Sequence, residues 1–212
     1  MKLYSAPLSP FAARVRLSIY RKGLDIDIVP PPGDGLKSET FLSLNPMGQV
    51  PTLLLDDGKA IPESATIVEY LEDAFPTPSL RPADPADLAR ARLFFRLPDI
   101  YAENAPRILL GMRDPARRDP AVVEKSMAAL HRALSYIDHF IDPGPWAVGD
   151  APSIADSALV PVLNAVGLVG MVYGQPNLID GYKRLSAYWA VAKTDPVHAR
   201  VIGEQLAAIP PM

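Results

Sequence analysis

The sequence predicts an α/β domain followed by an all-α domain, and three observations support this fold class. Residues 2–73 alternate short strand-like and helix-like segments. The stretch Pro76 to Pro82 is rich in proline and interrupts every regular pattern. After Asp84 the apolar spacing is helical. We therefore divide the chain into a first domain at 1–77, a linker at 78–84 and a helical domain at 85–212.

Local signals define the elements of the first domain. They predict strands at Lys2–Tyr4 and Asp25–Val29, a hairpin of Thr52–Leu55 and Lys59–Ile61, and helices at Phe11–Arg21 and Ser64–Asp73. Gly23 is suited to end the first helix, because glycine readily adopts the left-handed conformation there. The turn Asp56-Asp57-Gly58 is typical of a hairpin.

Helical periodicity continues through the second domain. The predicted helices are Ala86–Met112, Pro120–Ile141, Ile154–Val169, Leu178–Lys193 and Pro196–Ala208. Proline removes a backbone donor, so we expect Pro98 and Pro106 to kink or break the first and Pro161 the third. Ser153 and Asp156 have the spacing of a capping box at the start of a helix.

Composition excludes several classes of function. The formal net charge of −3 does not favour a nucleic-acid partner, whose binding proteins carry basic surfaces. The absence of cysteine excludes disulfides, a cysteine nucleophile and thiolate metal sites, and His131 and His139 lack neighbouring metal ligands. The N-terminus has no signal-peptide pattern, and we expect no stretch apolar enough to cross a membrane. These features predict a soluble, cytoplasmic protein without a membrane partner or a metal.

The segment from Leu44 to Leu55 carries the most specific functional signal. Pro51 precedes a strand, and if the Val50–Pro51 bond is cis, the chain bends sharply there and Val50 presents its N–H and C=O outward. Glu63 and Ser64 would open the next helix, where a carboxylate binds well. Together these parts predict a receptor for a small peptide with a free amino acid end.

This segment resembles the glutathione-binding core of the cytosolic glutathione transferases, whose first domain is thioredoxin-like. Residues Trp146–Asp156 resemble the capped buried helix of the family's second domain, and Leu8–Arg16 is similar to its serine-type, tau-like and zeta-like branches. The resemblance implies the GST fold, glutathione as co-substrate and a homodimer.

The serine-type branches use a serine at the start of the first helix to stabilise the thiolate of glutathione, which implies this role for Ser9. Ser9 also precedes Pro10, so the same hydroxyl is expected to cap the helix. Tyr4, on the first strand, is the alternative donor, and Ser5 is a weaker third candidate.

The resemblance also implies the contacts to the rest of glutathione. Val50 and Pro51 would meet its cysteinyl unit, Glu63 its ammonium and Ser64 its γ-glutamyl carboxylate. Gln49 and Lys37 are candidates for the glycyl carboxylate. For Arg14 a surface or interdomain position is at least as plausible as a place in the site.

The second substrate, a small hydrophobic electrophile, would bind between the loop before Ser9 and the first helices of the second domain. Candidates for lining that pocket are Leu8, Phe11, Phe95, Asp99, Tyr101, Asn104 and Arg107.

Three activities follow from the resemblance. The first is glutathione conjugation or thiolytic cleavage of the electrophile. The second is a zeta-like isomerisation, which is disfavoured because Ala6-Pro7-Leu8-Ser9 replaces the Ser-Ser-Cys run of those enzymes. The third is a non-catalytic ligand-binding or interaction protein, which is disfavoured because both Ser9 and the Glu63-Ser64 pair are present.

Overall fold

The computed structural model describes residues 1–102 and 104–209. The chain divides into two compact units. The first contains Met1–Arg81 and the segment that begins at Asp195, and the second is Pro82–Thr194. The division predicted from the sequence placed the last helix in the second domain and residues 78–84 in a linker, whereas the boundary between the two units falls between Arg81 and Pro82 and the last helix groups with the first unit.

The elements follow the predicted order. In the first unit they are β1 Lys2–Tyr4, α1 Pro10–Lys22, β2 Asp27–Val29, α2 Glu39–Leu44, β3 Thr52–Leu54, β4 Ala60–Pro62 and α3 Ser64–Ala74. The second unit contains α4 Pro85–Arg96, α5 Ala105–Gly111, α6 Pro120–Phe140, α7 Ile154–Val172 and α8 Lys183–Ala192. The last helix, α9 Pro196–Ala207, groups with the first unit.

The sheet of the first unit has the strand order β2-β1-β3-β4. β1 is parallel to β2 and antiparallel to β3, and Leu3 lies opposite Ile28 and Leu53 in the two ladders. Leu3 and Leu53 are fully buried. α1 packs against α3 and, on another side, against α9. The predicted α/β thioredoxin-like domain is thus confirmed, with α9 added to it.

A buried ion pair ties the predicted linker to the first unit. The Lys22 ammonium lies 2.8 Å from the Glu72 carboxylate, and both side chains are at most 1% exposed. Lys22 also donates to the carbonyl of Pro78 at 2.5 Å, and Glu72 accepts the N–H of Leu80 at 2.9 Å. The stretch after α3 is therefore held by the buried charges of α1 and α3.

The predicted helix Ala86–Met112 is divided in the structure. α4 ends at Arg96, a π-helical turn follows over Leu97–Tyr101, and α5 begins at Ala105. Pro98 lies in the π-helical turn and Pro106 in the first turn of α5, where a missing N–H does least harm. The predicted break is therefore confirmed.

α7 is the core helix of the second unit and bears on two expectations. We expected Pro161 to kink or break it, and the helix continues through Pro161 without a break. Pro161 is buried, and the packing of α7 offsets the lost backbone hydrogen bond. By length and composition alone it is also apolar enough to cross a membrane, contrary to our expectation, but 83% of its apolar window is buried inside the structure. Core helices of soluble proteins pass the same test.

The predicted capping box of α7 is present, and it extends into a larger network. The Asp156 carboxylate accepts the N–H of Ser153 at 2.8 Å, the N–H of Ala147 at 3.0 Å and the hydroxyl of Tyr188 at 2.8 Å. Asp156 is fully buried. One carboxylate thus fixes the loop before α7 and joins α7 to α8.

Candidate functional site

A pocket in the first unit brings together most of the residues predicted to hold glutathione. It is lined by Phe11, Asn45, Gln49, Val50, Pro51, Glu63 and Ser64. Its volume of about 160 Å³ is smaller than a typical ligand site. It therefore fits one end of a ligand, with the remainder extending over the surrounding surface.

The loop before β3 forms one wall of this pocket, and the Val50–Pro51 peptide is cis as predicted. Buried Asn45 shapes the loop by donating from its amide to the carbonyl of Gln49 and to the hydroxyl of Thr52, each at 3.0 Å. Among the described residues, the main chain of Val50 makes no hydrogen bond. Its N–H and C=O are therefore available to an extended ligand.

Glu63 and Ser64 form the opposite wall at the start of α3. Glu63 has a backbone φ of 72°, and its exposed side chain makes no capping hydrogen bond to α3. A non-glycine residue at positive φ is uncommon, costs about 1–3 kcal/mol, and is found most often at ligand sites. Buried Ser64 lies within the first turn of α3, whose N–H groups favour an anion.

Arg14 lies beneath the pocket, in contrast to the surface or interdomain position considered from the sequence. It is fully buried, and its guanidinium is 3.4 Å from the Ser64 hydroxyl and 4.9 Å from the centre of the Phe11 ring. Both neighbours line the pocket. A fixed positive charge directly behind Ser64 favours a ligand carboxylate there. In the sequence, the only sign of this burial is the position of Arg14 on an amphipathic helix.

Ser9 is the N-cap of α1, as predicted. Its hydroxyl accepts the N–H of Ala12 at 3.2 Å, which leaves the hydroxyl proton free to be donated. Its own N–H donates to the carbonyl of Ala6 at 3.0 Å. Ser9 is half-buried and lies outside the set of residues that line the pocket.

The two alternative hydroxyl donors are both buried within the first unit. Tyr4 is buried in β1, with its ring packed edge-on against Phe41 at 5.7 Å. The buried Ser5 hydroxyl accepts a hydrogen bond from Arg16 at 2.9 Å. These contacts favour packing and structural roles for both residues.

Lys37 and Gln49 are both exposed. Gly48, at φ 59°, lies against the segment that carries Lys37, since a Cβ at Gly48 would come within 3.0 Å of the Lys37 ammonium and 2.7 Å of the Leu36 carbonyl. Glycine is thus required at this position by both conformation and space. Lys37 therefore lies beside the loop that carries Gln49.

The candidates for the second substrate fall into different environments. Phe11 lines the small pocket itself, and Leu8 is 45% exposed. Phe95 is only 4% exposed and belongs to the core side chains of the second unit, so its place in lining a second-substrate pocket stays a prediction. The other four candidates, Asp99, Tyr101, Asn104 and Arg107, are exposed.

Those four lie near the π-helical turn. Asp99 and Tyr101 belong to it, and the Tyr101 ring packs edge-on against Tyr136 at 5.1 Å. Asn104 has a φ of 59° just before α5, and Arg107 lies within α5.

A second depression, of about 500 Å³, lies in the second unit and contains none of the predicted site residues. It is shallow, and within it Nδ1 of His131 lies 2.7 Å from the Tyr182 hydroxyl. Across residues 1–102 and 104–209, no cluster of acidic and histidine side chains could hold a metal ion.

Known proteins identify the family. Residues 3–79 match the model of the glutathione S-transferase N-terminal domain, and residues 120–189 match that of the C-terminal domain. The chain is 31% identical to maleylacetoacetate isomerase of Pseudomonas aeruginosa over 202 residues, which cover 92% of each chain. The chain belongs to the glutathione S-transferase family.

Two further relatives support this assignment. The family member named probable glutathione S-transferase BZ2 of Zea mays is 30% identical, over 95% of this chain and 93% of its own. A glutathione S-transferase of Methylobacillus flagellatus, solved with glutathione bound, is 27% identical, with a TM-score of 0.78 over 94% of this chain and 98% of its own.

Proposed function

We propose that this protein is a glutathione transferase whose Ser9 stabilises the glutathione thiolate for attack on a small hydrophobic electrophile. Family membership supports glutathione as the co-substrate, and relatives have been solved with glutathione or with glutathione sulfonate bound. The reaction is conjugation or thiolytic cleavage, in which the sulfur forms a new bond to carbon and the leaving group departs.

The observation that carries this proposal is the pocket formed by two short segments distant in sequence. Val50 offers unpaired backbone groups on one side, and Glu63 and Ser64 begin a helix on the other. An extended peptide can pair with the first, while its α-amino and α-carboxylate groups meet the second. Arg14, behind Ser64, adds positive charge at the carboxylate end.

The chemistry requires ionisation of a thiol whose ordinary pKa is about 8.5. Lowering that pKa by roughly two units needs about 2.7 kcal/mol of preferential stabilisation of the thiolate. A hydrogen bond to a charged partner contributes about 1.5–3 kcal/mol, and a helix N-terminus adds about 0.3–1 kcal/mol. The hydroxyl of Ser9, at the start of α1, is therefore sufficient in magnitude.

Ser9→Ala tests the proposal. We expect the apparent pKa of the bound thiol to rise by about one to two units and kcat/KM to fall about 10- to 100-fold, since 1.4 kcal/mol corresponds to a factor of ten. Absorbance of the thiolate against pH and a conjugation assay with an aryl halide measure the two effects. Ser38→Ala is a matched control, because Ser38 caps α2 in the same way. An unchanged thiol pKa in Ser9→Ala would transfer the role to Tyr4 or to water.

A glutathione-dependent isomerase is the second candidate, favoured by the similarity to a maleylacetoacetate isomerase over nearly the whole chain. Such a reaction would use the same thiolate, adding reversibly to a carbon–carbon double bond and leaving after rotation. Its net reaction consumes no glutathione, whereas conjugation consumes one molecule per product. Free thiol measured during turnover on maleylacetoacetate and on an aryl halide therefore separates the two activities.

The non-catalytic alternative, a protein that binds glutathione without reacting it, has a test of its own. Retention on immobilised glutathione without turnover on any electrophile would favour it.

A homodimer is expected for the family, and sedimentation analysis of the intact chain tests it directly.

A further inference from the structure

The Ser5–Leu8 loop, which leads from β1 to Ser9, is fastened by a single side chain of α1. Arg16 donates from Nη1 to the Ser5 hydroxyl at 2.9 Å and to the Ala6 carbonyl at 3.2 Å. It donates from Nη2 to the Pro7 carbonyl at 2.9 Å. Three consecutive residues are thus bound by one guanidinium, whose flat, fixed array of donors suits such an arrangement.

The carbonyl of Ala6 links this arrangement to Ser9. It accepts the N–H of Ser9 at 3.0 Å as well as the Arg16 donor. A shift of this carbonyl would therefore move the start of α1, where the Ser9 hydroxyl lies. A misplacement of about 1 Å at a reacting group can cost roughly 100-fold in rate.

The charge of Arg16 is balanced by α9. Arg16 is 3% exposed, and its Nε lies 3.1 Å from Oε2 of Glu204. The other oxygen of Glu204 accepts the hydroxyl of Tyr20 at 2.9 Å, and Arg200 stacks over the Tyr20 ring at 3.6 Å. Burial lowers the pKa of Arg16, and the charge of Glu204 opposes that effect.

A second ion pair between the same two helices provides an internal comparison. Arg21 of α1 lies 2.5 Å from Asp195, the N-cap of α9. Both nitrogens of its fork bond Asp195, away from the Ser5–Leu8 loop. Both ion pairs link α1 to α9, but of the two arginines only Arg16 also donates hydrogen bonds to the Ser5–Leu8 loop.

We propose that Arg16, held in place by Glu204 of α9, is a positioning residue that fixes the Ser5–Leu8 loop and through it the hydroxyl of Ser9. The role of Ser9 on glutathione is that of the proposed function, and the positioning claim rests on it. The last helix thus contributes to the active site without contacting the substrate.

The test compares two matched pairs of variants. Arg16→Lys and Glu204→Gln disturb the loop network, whereas Arg21→Lys and Asp195→Asn make the same chemical changes in the other ion pair. Lysine cannot reach three acceptors at once, and asparagine at position 195 still caps α9. If Arg16→Lys fails to fold, Glu204→Gln and Glu204→Ala carry the test.

Hydrogen exchange of the Ser9 amide is the first measurement, because it reports the loop without any ligand. We expect exchange about tenfold faster in Arg16→Lys and Glu204→Gln, and within about twofold of wild type in the two controls. Equal exchange in all variants, or equal acceleration in Glu204→Gln and Asp195→Asn, would overturn the proposal.

Glutathione turnover is the second measurement. We expect kcat to fall roughly tenfold in Arg16→Lys and less in Glu204→Gln, with KM for glutathione within about twofold, because Arg16 does not line the pocket. Faster exchange with unchanged kcat would overturn the link to Ser9. If Ser9→Ala turned over like wild type, the proposed function would fail instead, and exchange would still decide whether Arg16 fixes the loop.

Discussion

In the two units, the helices α1 and α7 differ in the sign of the charge that they bury. In the first unit, α1 buries three cations, Arg14, Arg16 and Lys22, and each has a partner fifty or more residues away, namely Ser64, Glu204 and Glu72. In the second unit, α7 buries the anion Asp156, which accepts hydrogen bonds from nearby backbone and from α8. We therefore expect buried charge near the pocket to serve ligand binding and loop position, and buried charge in the helical core to serve stability alone.

The largest expected effect concerns Lys22, the one of these three cations that lies away from the pocket and its loop. Lys22→Met leaves the Glu72 carboxylate buried without its cation, which typically costs about 3–5 kcal/mol. Denaturant unfolding measures this loss. The double variant Lys22→Met/Glu72→Leu should recover part of it, because no isolated charge then remains. A loss below about 1 kcal/mol in the single variant would contradict the importance of the pair.

Asp156→Ala tests the second unit. It removes the acceptor of four buried donors, one of which, the Ser153 hydroxyl, lies at the long distance of 3.4 Å. At about 1 kcal/mol for each of the three shorter bonds, we expect a loss of about 3 kcal/mol in the free energy of unfolding. Affinity of the folded protein for glutathione, measured by calorimetry, should not change. Asp150→Ala is the control, since Asp150 is exposed nearby. Weaker glutathione binding in Asp156→Ala would contradict the view that buried charge in the second unit serves stability alone.

Arg14→Lys tests whether buried charge beneath the pocket serves binding. Lysine keeps the charge but cannot bond Ser64 and stack on Phe11 together, so we expect glutathione affinity to fall about three- to tenfold. Calorimetric titration measures the change, and Arg21→Lys on the same helix should bind like wild type. Equal affinities in both variants would show that Arg14 serves stability only.

The smallest effect is a loss of stability in acid from one ion pair in each unit. Burial raises the pKa of Asp195, but hydrogen bonds from Arg21 and the backbone outweigh it, so that the pKa is lowered. The pKa of Asp142 is lowered in the same way, against its burial, by Arg90 and the backbone. A carboxyl with a lowered pKa stabilises the fold above its ordinary pKa of 3.8, and that contribution disappears as the pH falls below it.

Denaturant unfolding between neutral pH and pH about 2 checks this expectation. Asp195→Asn and Asp142→Asn should each reduce the acid-dependent loss, by about 1 kcal/mol or less, because partly exposed pairs are screened by solvent. A steeper loss of unfolding free energy with falling pH in either variant would contradict the assignment of this effect to Asp195 and Asp142.

The sequence predicted the parts of the site that depend on neighbouring residues. The cap at Ser9 and the helix start at Ser64 follow from short-range backbone chemistry, whereas the cis bond before Pro51 was expected because the segment resembles the family's glutathione-binding core. Short-range chemistry also predicts the capping box at Asp156. Each of these short-range signals lies within a few residues of the feature that it controls, so it can be recognised without knowledge of the tertiary structure.

The sequence did not predict which long side chains are buried. Arg14 is buried against Ser64, fifty residues away, and Phe95 is a core residue although its spacing is compatible with a pocket. Pro161 continues a helix that local chemistry would break. In each case packing against distant elements outweighs the local preference.

By itself, then, the amino-acid order determined the strands, the caps, the turn at Pro51 and the pairing of an α/β domain with a helical one. Only the tertiary structure decided that α9 joins the first unit and that Arg16 meets Glu204. The physical reason is range: caps and turns are satisfied within a few residues, whereas a buried charge is stable only where the fold brings its partner.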